Sequence, residues 1–133
     1  MSKFENLTKY IPKIQKMSMG EWNSVKEIDI TKNQPIPMPF VAYSDLAEEF
    51  IHDVYKLQEK MELYRYEDIL KENGMEWNVE SIKNVDVSNL NAQCVLALIM
   101  GVVRAERFCD GVLLDFFNSG CIVKWLERLN NIE

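Results

Sequence analysis

Arg104, Glu106, Arg107 and Asp110 stand together in the stretch RAERFCD, directly after the most apolar segment of the chain, CVLALIMGVV at 94–103. Two guanidiniums around a carboxylate are residue types that hold an anion. Arginine offers a planar fork of donors matched to carboxylate or phosphate, and Glu106 or Asp110 can act as acceptor or base. At about 100° per residue, Ala97, Gly101 and Ala105 share one seam bordered by Arg104 and Phe108, and a neighbouring backbone could approach there. Glu106 falls on the opposite side, in line with Val95, Ile99 and Val102. The charges thus extend faces that are apolar one turn earlier, and a charge drawn inward is unfavourable unless it is paired and hydrogen-bonded.

Two arrangements would compensate them. One is an ion-pair network with Glu48, Glu49, Asp53, Glu67 or Asp68, or with carbonyls at helix C-termini. The other is a cleft in which Arg104 and Arg107 bind an anionic small molecule. Trp22, in the loop segment MGEW, would either pin that loop to the core or cover the cleft.

The remaining chemistry-bearing residues form no such constellation. His52 is the single histidine, and beside Asp53 on a helical turn it reads as solvated. Cys94, Cys109 and Cys121 are too widely spaced for a local zinc-binding pair. Adjacent acids such as Glu48-Glu49 and Glu67-Asp68 diverge around a helix, and Tyr43, Tyr55, Tyr64, Tyr66, Trp77 and Trp125 could line a pocket, although at helical spacing such aromatics are more often core. The sequence contains no Gly-rich phosphate loop, GxSxG or HExxH. It therefore points to no catalytic residue, no metal and no cofactor.

The elements that must position the charged block are helical. Ser44 caps a helix from about 45 to 61, on which Leu46, Phe50, Ile51, Val54, Leu57 and Met61 trace one face. YRYEDILKENG predicts a shorter helix stopped at Asn73-Gly74, and Asn78 caps a brief one through Ile82. Ser88 caps a central helix over about 89–108, apolar on nearly all sides and so surrounded by the others. Asp110 caps GVLLDFF, and CIVKWLERL forms the last helix. Phe4, Leu7, Ile11 and Ile14 belong to a short helix broken near Pro12.

Residues 20–43 change character, with Pro35, Pro37 and Pro39 at alternate positions. That spacing predicts an extended, polyproline-like arm, with a short strand at Ile28–Ile30, and its apolar content places it against the helices. The fold class is all-α: a single compact bundle of about six helices over 1–133, carrying a long Pro-containing loop or arm.

With 133 residues, 47% of them hydrophobic, one domain can bury roughly two thirds of its unfolded surface. The net charge of −6 argues against nucleic acid and anionic membrane as partners. The acid concentrates in 45–88, so a basic partner or the mildly basic N-terminal segment could face it. An odd number of cysteines without CxxC spacing suggests reduced thiols in a cytoplasm. No charged start followed by an apolar stretch and a cleavage site is present, so no secretory leader is expected, and the longest apolar run is too short to span a membrane.

MGEW, PMPFVAYS and NAQCVLALIMGVVRAERFCDGVLL resemble a family of small bacterial proteins carrying a domain of unknown function, over about Phe4 to Leu129. The resemblance implies a small, stand-alone cytoplasmic protein and supplies no catalytic residue. Function stands between two classes. The first is a non-enzymatic binding or interaction protein whose acidic middle or arm contacts another protein, including a second copy of itself. The second is a small-molecule site, enzymatic or sensory, built by Arg104, Glu106, Arg107 and Asp110 under Trp22.

Overall fold

A computed structural model describes the backbone of residues 4–29, 34–109 and 111–132, and the side chains of all of these except 22–29, 34–40 and 79. The chain is mostly helical, with one two-stranded sheet. The broken N-terminal helix is a pair, α1 (Glu5–Thr8) and α2 (Ile11–Lys16), with Pro12 in the first turn of α2, where a missing N–H leaves no bond unmade.

The arm between Gly20 and Tyr43 is the main departure from the sequence reading. It is an antiparallel hairpin of two ten-residue strands, β1 (Gly20–Asp29) and β2 (Gln34–Tyr43), rather than a loop with a short strand. Ile30, at the end of the expected short strand, lies outside the described residues. The prolines permit pairing because of their register. Ser44 N–H donates to Met19 O at 3.0 Å, and Gly20 opposes Tyr43. Hydrogen-bonded pairs therefore alternate outward from Met19 and Ser44, which places Pro39 opposite Ser24, Pro37 opposite Lys26 and Pro35 opposite Ile28 at non-hydrogen-bonded positions. No ladder bond is lost, and the outer edge of β2 lacks donors at three alternate positions.

The base of the hairpin is tied to the bundle. Met19 is buried, and the Tyr43 hydroxyl accepts from Leu114 N–H at 3.2 Å. The expectation that the arm's apolar side chains lie on the helices concerns residues outside the described side chains.

Ser44 caps α3 (Asp45–Lys56), its Oγ accepting from Ala47 N–H at 3.2 Å. The helix ends earlier than its apolar pattern predicts, because the chain turns through 57–62 with Glu62 left-handed at φ 57°. A 3₁₀ turn over Leu63–Arg65 then leads into α4 (Tyr66–Glu72), closed at Asn73-Gly74 with Gly74 at φ 81°. Asn78 caps α5 (Val79–Lys83) through bonds from Glu80 and Ser81 N–H.

The central helix is α6 (Ala92–Ala105), buried continuously from Cys94 to Val103 and in contact with α3, α4, α7 (Val112–Asn118) and α8 (Cys121–Asn130). Its cap is Asn91, whose Oδ1 accepts from Cys94 N–H at 2.8 Å. The expected cap, Ser88, bonds to the Asp86 carboxylate at 2.6 Å instead. The Ala97–Gly101–Ala105 seam takes no neighbouring backbone at Gly101: the Trp77 indole sits where a Cβ would stand. Glycine inside a helix is unfavourable by about 1 kcal/mol relative to alanine, and here it makes room for a ring.

One cluster of buried side chains runs through all these helices. Phe50 of α3 illustrates its packing, lying edge-on between Tyr10 and Phe117 with both ring centroids 5.4 Å away. Such aromatic pairs add about 0.5–1.5 kcal/mol beyond the area they bury.

Candidate functional site

The charged block begins in the last turn of α6 and continues through the turn at 106–109. Its members separate into different environments. Glu106 is half-buried and reaches forward to the start of α7. Its carboxylate accepts from Gly111 N–H at 3.0 and 3.1 Å and from Leu113 N–H at 3.0 Å. These N–H groups precede or open a helix and have no carbonyl of their own, so a carboxylate there meets both their hydrogen-bonding need and the helix dipole. Gly111, at φ 94°, makes the sharp entry that aims them at Glu106. Asp110, the expected cap of this helix, lies outside the described residues.

Arg107 is exposed, its guanidinium 6.0 Å from the centroid of the Tyr55 ring on α3. Phe108 follows at 90% exposure, and Cys109 is exposed beside it. The turn is held by Phe108 and Cys109 N–H donating to Ala105 O, each at 3.0 Å.

Arg104 is half-buried and faces the opposite way along the chain, toward the 3₁₀ turn and α4. Its guanidinium lies 5.8 Å from the centroid of the Tyr66 ring. Tyr66 meets Trp77 edge-on at 5.5 Å, and Trp77 rests on Gly101, so the guanidinium caps an aromatic stack founded on its own helix. Nε of Arg104 is sealed from solvent without a hydrogen-bond partner. Among the described residues, no carboxylate lies within ion-pair distance of Arg104 or Arg107. The acids expected to neutralise them are elsewhere engaged or simply near. Asp53 pairs with Lys9 and Lys56, each at 3.6 Å, while Glu67 and Asp68 share a cleft with Arg104 without touching it.

That cleft, of about 300 Å³, is lined by Tyr64, Arg65, Tyr66, Glu67, Asp68 and Arg104. Arg65 is neutralised by Glu72 at 3.0 Å and Glu62 at 3.9 Å. Burial, reinforced by the Glu67 charge, raises the Tyr66 phenol above its ordinary range, with Arg104 acting in the opposite sense. Tyr64, read as core from spacing, is exposed and lines the cleft, whereas Tyr66 both packs against the core and lines the cleft. The signal was present in Tyr64-Arg65-Tyr66-Glu67-Asp68, where aromatic and charged residues alternate, unlike a buried helix face.

Trp22 contributes its backbone to β1, and its side chain lies outside the described ones. His52 is exposed on α3. Cys94 and Cys121 are buried, and burial pushes the Cys94 thiol up to about 11. Among the described residues no group of His, Cys, Asp and Glu could hold a metal ion, and no helix is long and apolar enough to cross a membrane.

A second charged cluster lay unseen in the sequence. The Tyr10 hydroxyl donates to Asp53 Oδ2 at 2.6 Å, beneath Lys9 and Lys56. Burial opposes ionisation of Asp53, yet the hydrogen bond and the two ammoniums outweigh it and hold the carboxyl below its ordinary value. Burial and the adjacent Asp53 charge push the Tyr10 phenol far upward.

The chain belongs to a family of unknown function, DUF6508, whose model matches residues 1–133. No curated protein and no solved structure matches it.

Proposed function

We propose, with membership of this family as the premise, that the protein is a non-enzymatic interaction module of the bacterial cytoplasm that docks a protein partner through the turn at 106–109. One observation carries the reading: Phe108 is 90% exposed on a turn whose far end is fastened by the Glu106 carboxylate. A large apolar side chain held out in water by a fixed backbone gains most by entering a pocket on another protein. The backbone that carries it is already hydrogen-bonded in place, so docking has little backbone entropy to overcome.

Arg107 beside it, exposed and stacked toward Tyr55, supplies a guanidinium for a carboxylate on the partner. The three free cysteines suit a reducing compartment. The partner is another protein or a second copy of this one.

A photo-crosslinking residue placed at position 108 in cells, with sedimentation velocity at rising protein concentration, tests the reading. Discrete crosslinked products that disappear when Arg107→Glu is added support docking by this turn. A concentration-dependent dimer abolished by Phe108→Ser identifies the partner as a second copy. A monomer at every concentration, with no crosslink beyond that from a control position on exposed α8 surface, overturns the proposal.

A further inference from the structure

The cleft between the 3₁₀ turn, α4 and the end of α6 carries an inference independent of the docking turn. The requirement is electrostatic: a half-buried guanidinium with no ion-pair partner among the described residues rests against the Tyr66 face and leaves its charge incompletely compensated. The cleft that Arg104 lines, about 300 Å³, has room for a small metabolite.

The charges around it narrow the ligand class. Arg65 is consumed by Glu62 and Glu72, which leaves Arg104 as the uncommitted cation. Glu67 and Asp68, exposed on the first turn of α4, line the same space and form no ion pair among the described residues. A phosphate or dicarboxylate would meet Arg104 and be repelled by both acids. A simple cation would meet the acids and be repelled by Arg104. A molecule bearing one charge of each sign satisfies the whole lining, and the exposed Tyr64 provides an aromatic wall for its side chain.

We propose that this cleft binds a small zwitterion of the α-amino acid class, its carboxylate on Arg104 and its ammonium on Glu67 and Asp68.

The test titrates the common free α-amino acids at millimolar concentration into the full chain, followed by calorimetry and backbone-amide NMR. At least one is expected to bind, with shifts centred on Tyr64–Asp68 and Arg104. Its amide and its N-acetyl derivative each lose one charged contact and should bind about 10–100-fold more weakly. Arg104→Met, which keeps the stem over Tyr66, should fold as wild type and lose binding to the same degree, as should Glu67→Gln combined with Asp68→Asn. Three results would each overturn the proposal: no amino acid bound, binding unchanged in Arg104→Met, or an N-acetyl derivative bound as tightly as its parent. Phe108→Ser should leave the titration unaltered, which separates this site from the docking turn.

Discussion

Asp53 and Arg104 are charged side chains that α3 and the end of α6 carry toward the same core, and the protein treats them in opposite ways. Around Asp53 the chain supplies a phenol and two ammoniums, so the carboxylate is hydrogen-bonded and neutralised by its own sequence. Around Arg104 it supplies an aromatic stack running through Tyr66 and Trp77 to Gly101, which supports the guanidinium physically and leaves its charge unmatched among the described residues. A charge that the fold needs is closed on itself. One left without an ion pair beside a cleft is the premise of the proposed amino-acid site. The two regions therefore make different predictions about what each side chain contributes to stability.

The largest effect should come from the foundation of the Arg104 side. Trp77→Ala removes the ring that fills the space over Gly101 and supports Tyr66, and should lower unfolding free energy by about 3 kcal/mol in urea titrations. If the loss were a few tenths of a kcal/mol, the stack would be a surface contact and the comparison would lose its second member.

An intermediate effect belongs to the Asp53 side and is visible as a pH dependence. The folded Asp53 carboxyl is held below its unfolded value, so its contribution is present at neutral pH and disappears as pH falls below about 4. The folded Tyr10 phenol is held above its unfolded value, so its contribution is present below about pH 10 and is lost as pH rises beyond that. Tyr10→Phe should reduce stability by about 1.5 kcal/mol at neutral pH. It should also abolish the alkaline loss attributable to Tyr10 and make the acid loss shallower without removing it, since Lys9 and Lys56 remain. A stability profile identical in shape to wild type would show that the hydrogen bond does not couple the two groups.

The smallest expected effect is the sharpest test of the contrast. Arg104→Met retains an unbranched stem over Tyr66 and removes an uncompensated charge, and loss of the cation–aromatic attraction, about 0.5–1 kcal/mol, is offset by relief of desolvation. Its unfolding free energy should stay within about 0.5 kcal/mol of wild type. A loss of about 3 kcal/mol or more would mean that Arg104 is paired structurally after all, and would place it alongside Asp53.

Much of the frame was legible in the sequence because it rests on local rules. Ser44 and Asn78 cap their helices, Asn73-Gly74 stops one, and the unbroken apolar run at 94–103 forms the surrounded central helix. The hairpin was not, because alternate prolines satisfy two descriptions, a polyproline path and a strand whose bonding face skips them. Only the partner strand's register distinguishes these. Competition between neighbours displaced the central helix's cap, since Asp86 holds the Ser88 hydroxyl.

At the site, the sequence identified residues that carry charge and gave no view of what each would meet. Glu106 turned out to bond backbone N–H groups a few residues ahead, and Arg104 met a tyrosine far back in the chain. Such meetings depend on tertiary placement, and no periodicity contains them.

The proline register of β2 bears on polymerisation. A strand adding to the outer edge of this ribbon would find no donor at Pro35, Pro37 or Pro39, so that edge terminates growth. Among the described residues β1 is the strand with an edge free of proline, and pairing between two β1 edges would close about a two-fold axis with a proline-bearing strand on each flank. A sheet extended in this way would carry a donor-poor, proline-bearing strand on each outer edge, which disfavours growth into a filament.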